Sequence, residues 1–270
     1  MIFASLVLSV GATAVSEFSL ALAGSGAVSG TGVCDRTLAT PPVTFCIGAL
    51  ELNSVLLRRL KPTTVATAKP TATRSQTVYT FDPQHPVPTI GGGATARLKD
   101  GAFNQREDPR FPPSKAPWLP LRSRADVVVF QTEPLAEDMT IAGPIKVVLH
   151  ASASTVDADF TAKLIDVYPS STDWPGGFDM NLTDAIIRGR YRATRERAVL
   201  LEPGRVYPFT IEPFPTANVF KKGHRIRVDI SSSNFPRFDV NPNTGEPLGR
   251  NRRMVSTNIA VQHSATYPSH

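Results

Sequence analysis

A chain of 270 residues with 41% hydrophobic residues is long enough for one large domain or two modest ones with a real core, which excludes a disulfide-stapled miniprotein. The formal net charge of +6 is 29 basic against 23 acidic residues, and with no recognition motif beside that excess a nucleic-acid partner is not expected. The 24 prolines recur without forming repeats, which suits short strands joined by turns and argues against long helices.

Residues 2–23, IFASLVLSVGATAVSEFSLALA, are apolar with one charge at Glu17, and Ala21-Leu22-Ala23 has the small-x-small form of a signal-peptidase site. The stretch lacks a basic n-region and is long and interrupted, so it is signal-like only, and cytoplasmic and secreted locations both stay open. Gly11 and Glu17 break the apolar run, so no membrane span is expected. Residues 24–75 are rich in Gly, Ser, Thr, Ala and Pro with weak periodicity, which reads as low-complexity linker or as sequence from a displaced gene boundary. Gly24, Gly26 and Gly30 miss the spacing of a dinucleotide fingerprint. Cys34 and Cys46 are compatible with one bridge in an exported chain, and nothing else requires it. The chain divides into a poorly structured segment, 1–75, and a folded domain, 76–270.

From Thr77 the texture changes to short β-rich runs. Strands are expected at Arg124–Glu133, Ile145–Ala153, Ala158–Pro169, Ala185–Arg192, Arg205–Phe214, His224–Ser233 and Met254–His263. In the sixth, His224, Ile226, Val228 and Ile230 point one way while Arg225, Arg227 and Asp229 point the other, toward solvent or an interface. Arg188, Arg190 and Arg192 recur at period two and read as a solvated strand face. Gly/Pro turns at Ala142–Pro144, Asp173–Gly177, Glu202–Gly204 and Lys221–Gly223 separate the runs. Many strands without interleaved helices predict an all-β, two-sheet sandwich of jelly-roll form.

The chemistry-bearing residues are weakly arranged. No Gly-x-Ser-x-Gly elbow is present, and Ser231, Ser232 and Ser233 end a strand rather than opening a helix. His224 and Asp229 are five apart on a strand and leave opposite faces, so they cannot act as a local base and its orienting group. The other histidines, His85, His150, His263 and His270, form no ligand spacing, so neither metal nor cofactor is expected. Asp157 and Asp159 share a face, as a glycosidase acid pair does, but acids so placed on a loop read as turn formers or surface groups. Asn181-Leu182-Thr183 is a glycosylation sequon, meaningful only in a secreted eukaryotic protein. Trp118 and Trp174, both beside prolines, are the aromatics on which a stand-alone carbohydrate-binding module would rely. After the sixth strand, NFPRFDVNPNTG (Asn234–Gly245) has the Asn, Asp, Pro and Gly density of a long ordered loop, anchored by Phe235 and Phe238. Such loops often contact another domain or a ligand.

Three strings carry a resemblance: VFKKGHRIRVDISSSNFPRFDVNPNTG (219–245), DADFTAKLIDVYP (157–169) and NLTDAIIRGRYR (181–192). Together with YTFDPQHPVPTIGGG (79–93) and GAFNQRED (101–108), they closely resemble the C-terminal region of X-Pro dipeptidyl-peptidases and the related cocaine-esterase/NonD acyl hydrolases, over about residues 77–264. The resemblance implies a galactose-binding-like jelly roll that follows an α/β-hydrolase catalytic domain and packs beside its active-site mouth. That domain is then the expected partner, in cis in the family. The family's Ser, Asp and His triad belongs to the hydrolase domain and maps onto no residue here, so this polypeptide alone is expected to be inactive. Candidate interface residues are Asn104, Gln105 and Arg106 upstream, and Asn234, Phe235, Arg237, Asp239, Asn241 and Asn243 in the loop.

Overall fold

The computed structural model describes residues 15–21, 27–33, 76–92 and 101–270. The chain forms two compact units, residues 1–61 and 62–270. In the first, β1 (Val15–Ala21) and β2 (Ala27–Val33) pair antiparallel with Val15 opposite Val33 and Ala21 opposite Ala27. Cys34, Cys46 and the readings made for residues 34–75 lie outside the described residues.

The second unit is a β-sandwich. Its strands are β3 (Gln76–Phe81), β4 (Val128–Gln131), β5 (Met139–Gly143), β6 (Val147–Ala153), β7 (Asp159–Tyr168), β8 (Phe178–Arg188), β9 (Tyr207–Ile211), β10 (Thr216–Phe220), β11 (Arg225–Ser231) and β12 (Thr257–Gln262). Two four-stranded antiparallel sheets form, in the orders β3-β12-β6-β9 and β4-β11-β7-β8, while β5 and β10 make a separate ribbon. Counted along the chain without that ribbon, the strands run 1-8-3-6 in one sheet and 2-7-4-5 in the other, the order of a jelly roll. All seven expected strands are present, six of them shorter than expected. The sequence reading starts β8 too late, at Ala185, because the polar run Asn181–Asp184 hides the alternation on either side of it. β3, β5 and β10 are not among the expected strands; β5 and β10 form the separate ribbon and β3 is a sheet edge.

Between the sheets lies an apolar core. Phe81, Leu149, Phe160, Phe209, Ile211, Ile230, Ile259 and Val261 are all buried within it, supplied by strands of both sheets. Phe160 and Phe209 meet across the gap with ring centroids 4.2 Å apart. A second cluster forms where β5 and β10 fold over one end, with Met139, Ile141 and Phe220 against Leu164 and Ile226.

The other face of the β4-β11-β7-β8 sheet overturns an expectation. Arg227 and Asp229 were expected at solvent or an interface, yet both are buried within this unit. Residues 82–92 and 101–127 lie over that face and bring a small core of their own, Val87, Ile90, Phe111, Leu121 and Val127, packed against Val129 of β4. With both faces covered, β7 is buried along Asp159–Asp166.

Beneath the cover runs a charged row set by strand register. Asp184 of β8 pairs with Lys163 of β7, and Lys163 pairs with Asp229 of β11, so the charges alternate across three strands. Arg227 Nε donates to Asp229 Oδ1 at 2.9 Å, and its Nη1 lies 3.0 Å from Asp179 Oδ2, an ion pair without an aligned hydrogen bond. Arg122 of the cover also pairs with Asp179, and Arg237 of the long loop lies 3.3 Å from Asp184. Burial pulls the Lys163 ammonium down, opposed by Asp184 and Asp229, and pushes the Asp229 carboxyl up, opposed by Arg227. A bulge in β8 places both acidic pairs on this face. Ile165 faces Asn181 while Leu164 faces Thr183, so Leu182 is the extra residue and turns inward to the second cluster.

Removing one member of such a row leaves buried charge uncompensated. Lys163→Met is expected to lower the unfolding free energy by about 3 kcal/mol in urea denaturation. Lys146→Met, at a surface pair of 3.9 Å, is expected to stay within about 0.5 kcal/mol of the parent.

Candidate functional site

The loop after β11 is held by side chains standing in for ladder hydrogen bonds. Each serine of the run is committed to the fold. Ser231 Oγ is 2.6 Å from Thr161 Oγ1, Ser232 Oγ is 2.8 Å from the Tyr79 hydroxyl, and Ser233 Oγ accepts from Val87 N at 2.8 Å. Thr89 Oγ1 donates to Asn234 Oδ1 at 3.0 Å, and backbone bonds join Thr89 to Phe235 and Phe235 to Val87. The cover and the loop are thereby laced together.

Further along, Asn241 bridges two carboxylates. Its Nδ2 donates to Asp157 Oδ2 at 2.9 Å and to Asp159 Oδ1 at 2.7 Å. Arg190 Nε donates to Asp157 Oδ2 at 2.7 Å, and Arg188 holds Asp159 through Nε at 3.0 Å and Nη2 at 2.9 Å. The two aspartates are not the surface groups expected of them: both are buried, in a cluster of two acids, two arginines and one amide. Nor do Arg188, Arg190 and Arg192 form a solvated strand face. β8 ends at Arg188, a turn of 3-10 helix follows over Gly189–Tyr191, and Arg192 turns to lie 4.2 Å over the Tyr207 ring. Burial pushes the Asp159 carboxyl up to about 6, against the pull of Arg188 and Asn241.

Beyond Asn241 the loop reverses through Asn243, at φ 62°, whose amide N donates to Asn241 Oδ1 and whose Nδ2 donates to the Val255 carbonyl. Gly245 is the one position here that only glycine fits. Its φ is +72°, and an added Cβ would lie 2.8 Å from Val156 Cγ2 and 3.2 Å from Leu200 Cδ1. Over this frame lies a groove of about 650 Å³, lined by Arg188, Arg190, Phe235, Pro242, Leu248 and Met254 among others.

The proposed contact residues separate by burial. Gln105, Asn234, Asn241 and Asn243 are each 1% exposed and brace the fold from within. Arg106 and Asp239 are exposed, and Asn104, Phe235 and Arg237 are half-buried. Asn104 and Gln105 reach β8 instead of the long loop, through Asn104 Oδ1 to Asp179 N and Gln105 N to the Asp179 carbonyl. His224 does find a carboxylate, but across strands: Nδ1 is 2.8 Å from Asp166 Oδ1 of β7, and the ring lies 4.2 Å from that of Tyr168. Sequence reasoning tested only Asp229 as its partner and missed this pair. Exposed His85 pairs with Asp82 at 2.7 Å. Among the described residues neither of these histidines is hydrogen-bonded to a hydroxyl, as the base of a serine nucleophile is. The sequon residue Asn181 lies in β8 with Nδ2 donating to Asp184 Oδ2 at 3.0 Å. Trp174 stacks on Phe178 at 4.4 Å, and Trp118 lends its carbonyl to Arg106.

Asn241→Leu keeps the volume and removes both bonds to the carboxylates, and is expected to cost about 3 kcal/mol in urea denaturation. A raised carboxyl pKa in the fold means that folding takes up a proton, so this stability is complete below about pH 4 and is lost as pH rises through about 6. The margin of the parent over Asp159→Asn is therefore expected to shrink by roughly 2–3 kcal/mol between about pH 4 and pH 7 in parallel denaturation series.

Residues 40–270 match the X-Pro dipeptidyl-peptidase C-terminal non-catalytic domain. A curated relative, the cocaine esterase of Rhodococcus sp. (strain MB1 Bresler), is 37% identical over 201 residues, covering 73% of this chain and 32% of the esterase. An aminopeptidase from a marine sediment Thaumarchaeota archaeon is similar in structure, with a TM-score of 0.63 and 31% identity over 74% of this chain and 33% of the aminopeptidase. A selenomethionine-labelled alpha-amino acid ester hydrolase follows, with a TM-score of 0.60 and 32% identity over 72% of this chain and 31% of its own. The chain thus spans about a third of the length of the curated relative it matches. With a jelly-roll unit and a match running from residue 40 to residue 270, the chain belongs to the X-Pro dipeptidyl-peptidase C-terminal, non-catalytic domain family, whose relatives include the cocaine-esterase/NonD hydrolases.

Proposed function

We propose that residues 76–270 serve as the accessory domain of an α/β-hydrolase-type serine hydrolase of the X-Pro dipeptidyl-peptidase or acyl-esterase kind. In this reading the domain packs beside the catalytic domain and shapes its active-site entrance, while nucleophile, base and oxyanion hole belong to that partner. The observation that carries the reading is the family match over residues 40–270, to a domain described as non-catalytic. The side chains agree with it. Ser231, Ser232 and Ser233 are spent on Thr161, Tyr79 and Val87, which leaves none of them available as a nucleophile.

The buried Asn and Asp network suits an accessory role. An exposed residue contributes to a neighbouring site only if its backbone is fixed, and Asn234, Asn241 and Asn243 fix the loop that carries Phe235, Arg237 and Asp239. Arg106 is fixed likewise, through Nε and Nη2 to the Trp118 carbonyl. In this reading Arg106, Phe235, Arg237 and Asp239 are candidate contacts beside the active-site entrance.

The full chain is expected to show no turnover of p-nitrophenyl esters or X-Pro-p-nitroanilides above a heat-killed control, and no labelling by a fluorophosphonate probe. Turnover together with labelling would falsify the accessory reading.

A further inference from the structure

The end of the sandwich beyond the buried Asp157–Arg190 cluster exposes apolar side chains that its interior does not need. Val199, Leu200, Leu248, Met254 and Val255 are each between 38% and 50% exposed. They come from two loops that touch. The Leu200 methyls lie 3.2 and 3.3 Å from where a Gly245 Cβ would be, Val255 N donates to the Pro242 carbonyl at 3.0 Å, and Leu248 and Met254 line one groove. The patch is held firmly from below. Val199 N donates to the Arg190 carbonyl at 2.7 Å, and Arg190 Nη1 donates to the Glu246 carbonyl at 3.0 Å, so the buried cluster sets the height of both loops.

Around the apolar centre stand arginines. Arg195 and Arg197 precede Val199 and Leu200 in one loop, and Arg250, Arg252 and Arg253 lie between Leu248 and Met254 in the other; all five are exposed. Among the described residues none of the five makes an ion pair. The nearby acids are fewer: Glu196 between the first two, Glu202 paired with Arg205, Asp239 in the groove that Leu248 and Met254 line, and Glu246, whose Oε2 takes the Thr244 hydroxyl and Arg252 N and which feels the charges of Arg252 and Arg253. An apolar centre with a mainly basic rim is the anatomy of a protein contact.

Building on the accessory reading, we infer that this end, Val199–Leu200 with Leu248–Val255, is the face that docks on the hydrolase domain, which meets it with an apolar surface edged by carboxylates. Two observations name the occupant. The relative's chain is about three times the length matched here, so a further body of protein accompanies this domain in it. The unpaired arginines call for acidic complements, which a second copy of this basic end would not supply.

The test mixes the full chain with the Rhodococcus cocaine esterase truncated to lack the third of its length that this chain matches, and follows association by sedimentation. The expected result is a one-to-one complex whose Kd rises at least tenfold when the chain carries Leu200→Asp with Met254→Asp. Phe214→Asp, at an exposed apolar residue outside the patch, is expected to leave Kd within twofold. A complex that tolerates the patch pair overturns this inference while the accessory reading stands. No complex with the unsubstituted chain and a soluble truncated esterase overturns both. Where the truncated esterase is insoluble, the same substitutions are read in a chimera with the chain joined in place of the esterase's matching third. There a single calorimetric transition is expected to split in two with the patch pair and to stay single with Phe214→Asp, and a transition left single by the patch pair overturns the inference.

Discussion

The constraint on which the rest of this fold depends is the alternating row Asp184, Lys163, Asp229, laid across three strands on the face turned away from the main core. Charges of this kind are stable under cover only if every one is matched, because desolvation costs several kcal/mol per ion before any pairing is counted. The arrangement answers that demand twice over. Arg227 adds a cation within the sheet, and Arg122 and Arg237 add two from outside it, one from the cover and one from the long loop. The polar face is therefore what ties the irregular parts of the chain to the sandwich.

That dependence gives the loops their order. Residues 82–92 and 101–127 bury a small apolar cluster of their own, but it is modest beside the main core, and charge pairing aligns it. The Asn234–Gly245 loop likewise owes its course to amides that replace a ladder: Asn234 to Thr89, Asn241 to two aspartates, Asn243 to the Val255 carbonyl. A half-satisfied network of this size would be worse than an apolar one, so the cover, the loop and the sheet are expected to form or fail together. Order bought in this way is available to whatever the exposed side chains of the loop meet.

Much of the architecture was legible because apolar alternation is local. Ile226, Val228 and Ile230 announce β11 from the sequence alone, and Phe160, Ala162 and Leu164 do the same for β7. The sequence also names the loop and the asparagines that brace it. What alternation cannot tell is what covers the second face. Arg227 and Asp229 carry the same pattern whether water or another segment lies above them, and the segment in question is more than a hundred residues upstream. The Asp157-x-Asp159 and Arg188-x-Arg190 pairs did hold a usable signal: opposite charges at matching spacing, where the start of β7 meets the end of β8. Read separately, each looked like surface. His224 escaped for a related reason, since its partner Asp166 is set by cross-strand register and not by spacing along one strand.

The bulge at Leu182 has a consequence for how this domain can change through time. One extra residue keeps Asp179 and Asn181 on the same side as Asp184, so the acidic complement of Arg227 and the complement of Lys163 can coexist on one strand. Drawing Leu182 into the ladder as a regularly paired residue would reverse the sidedness of everything before it in β8, sending carboxylate and amide inward and Met180 outward, whereas deleting it would leave each on its present face. A residue can thus be lost at the bulge itself while every carboxylate of the charged row keeps its side.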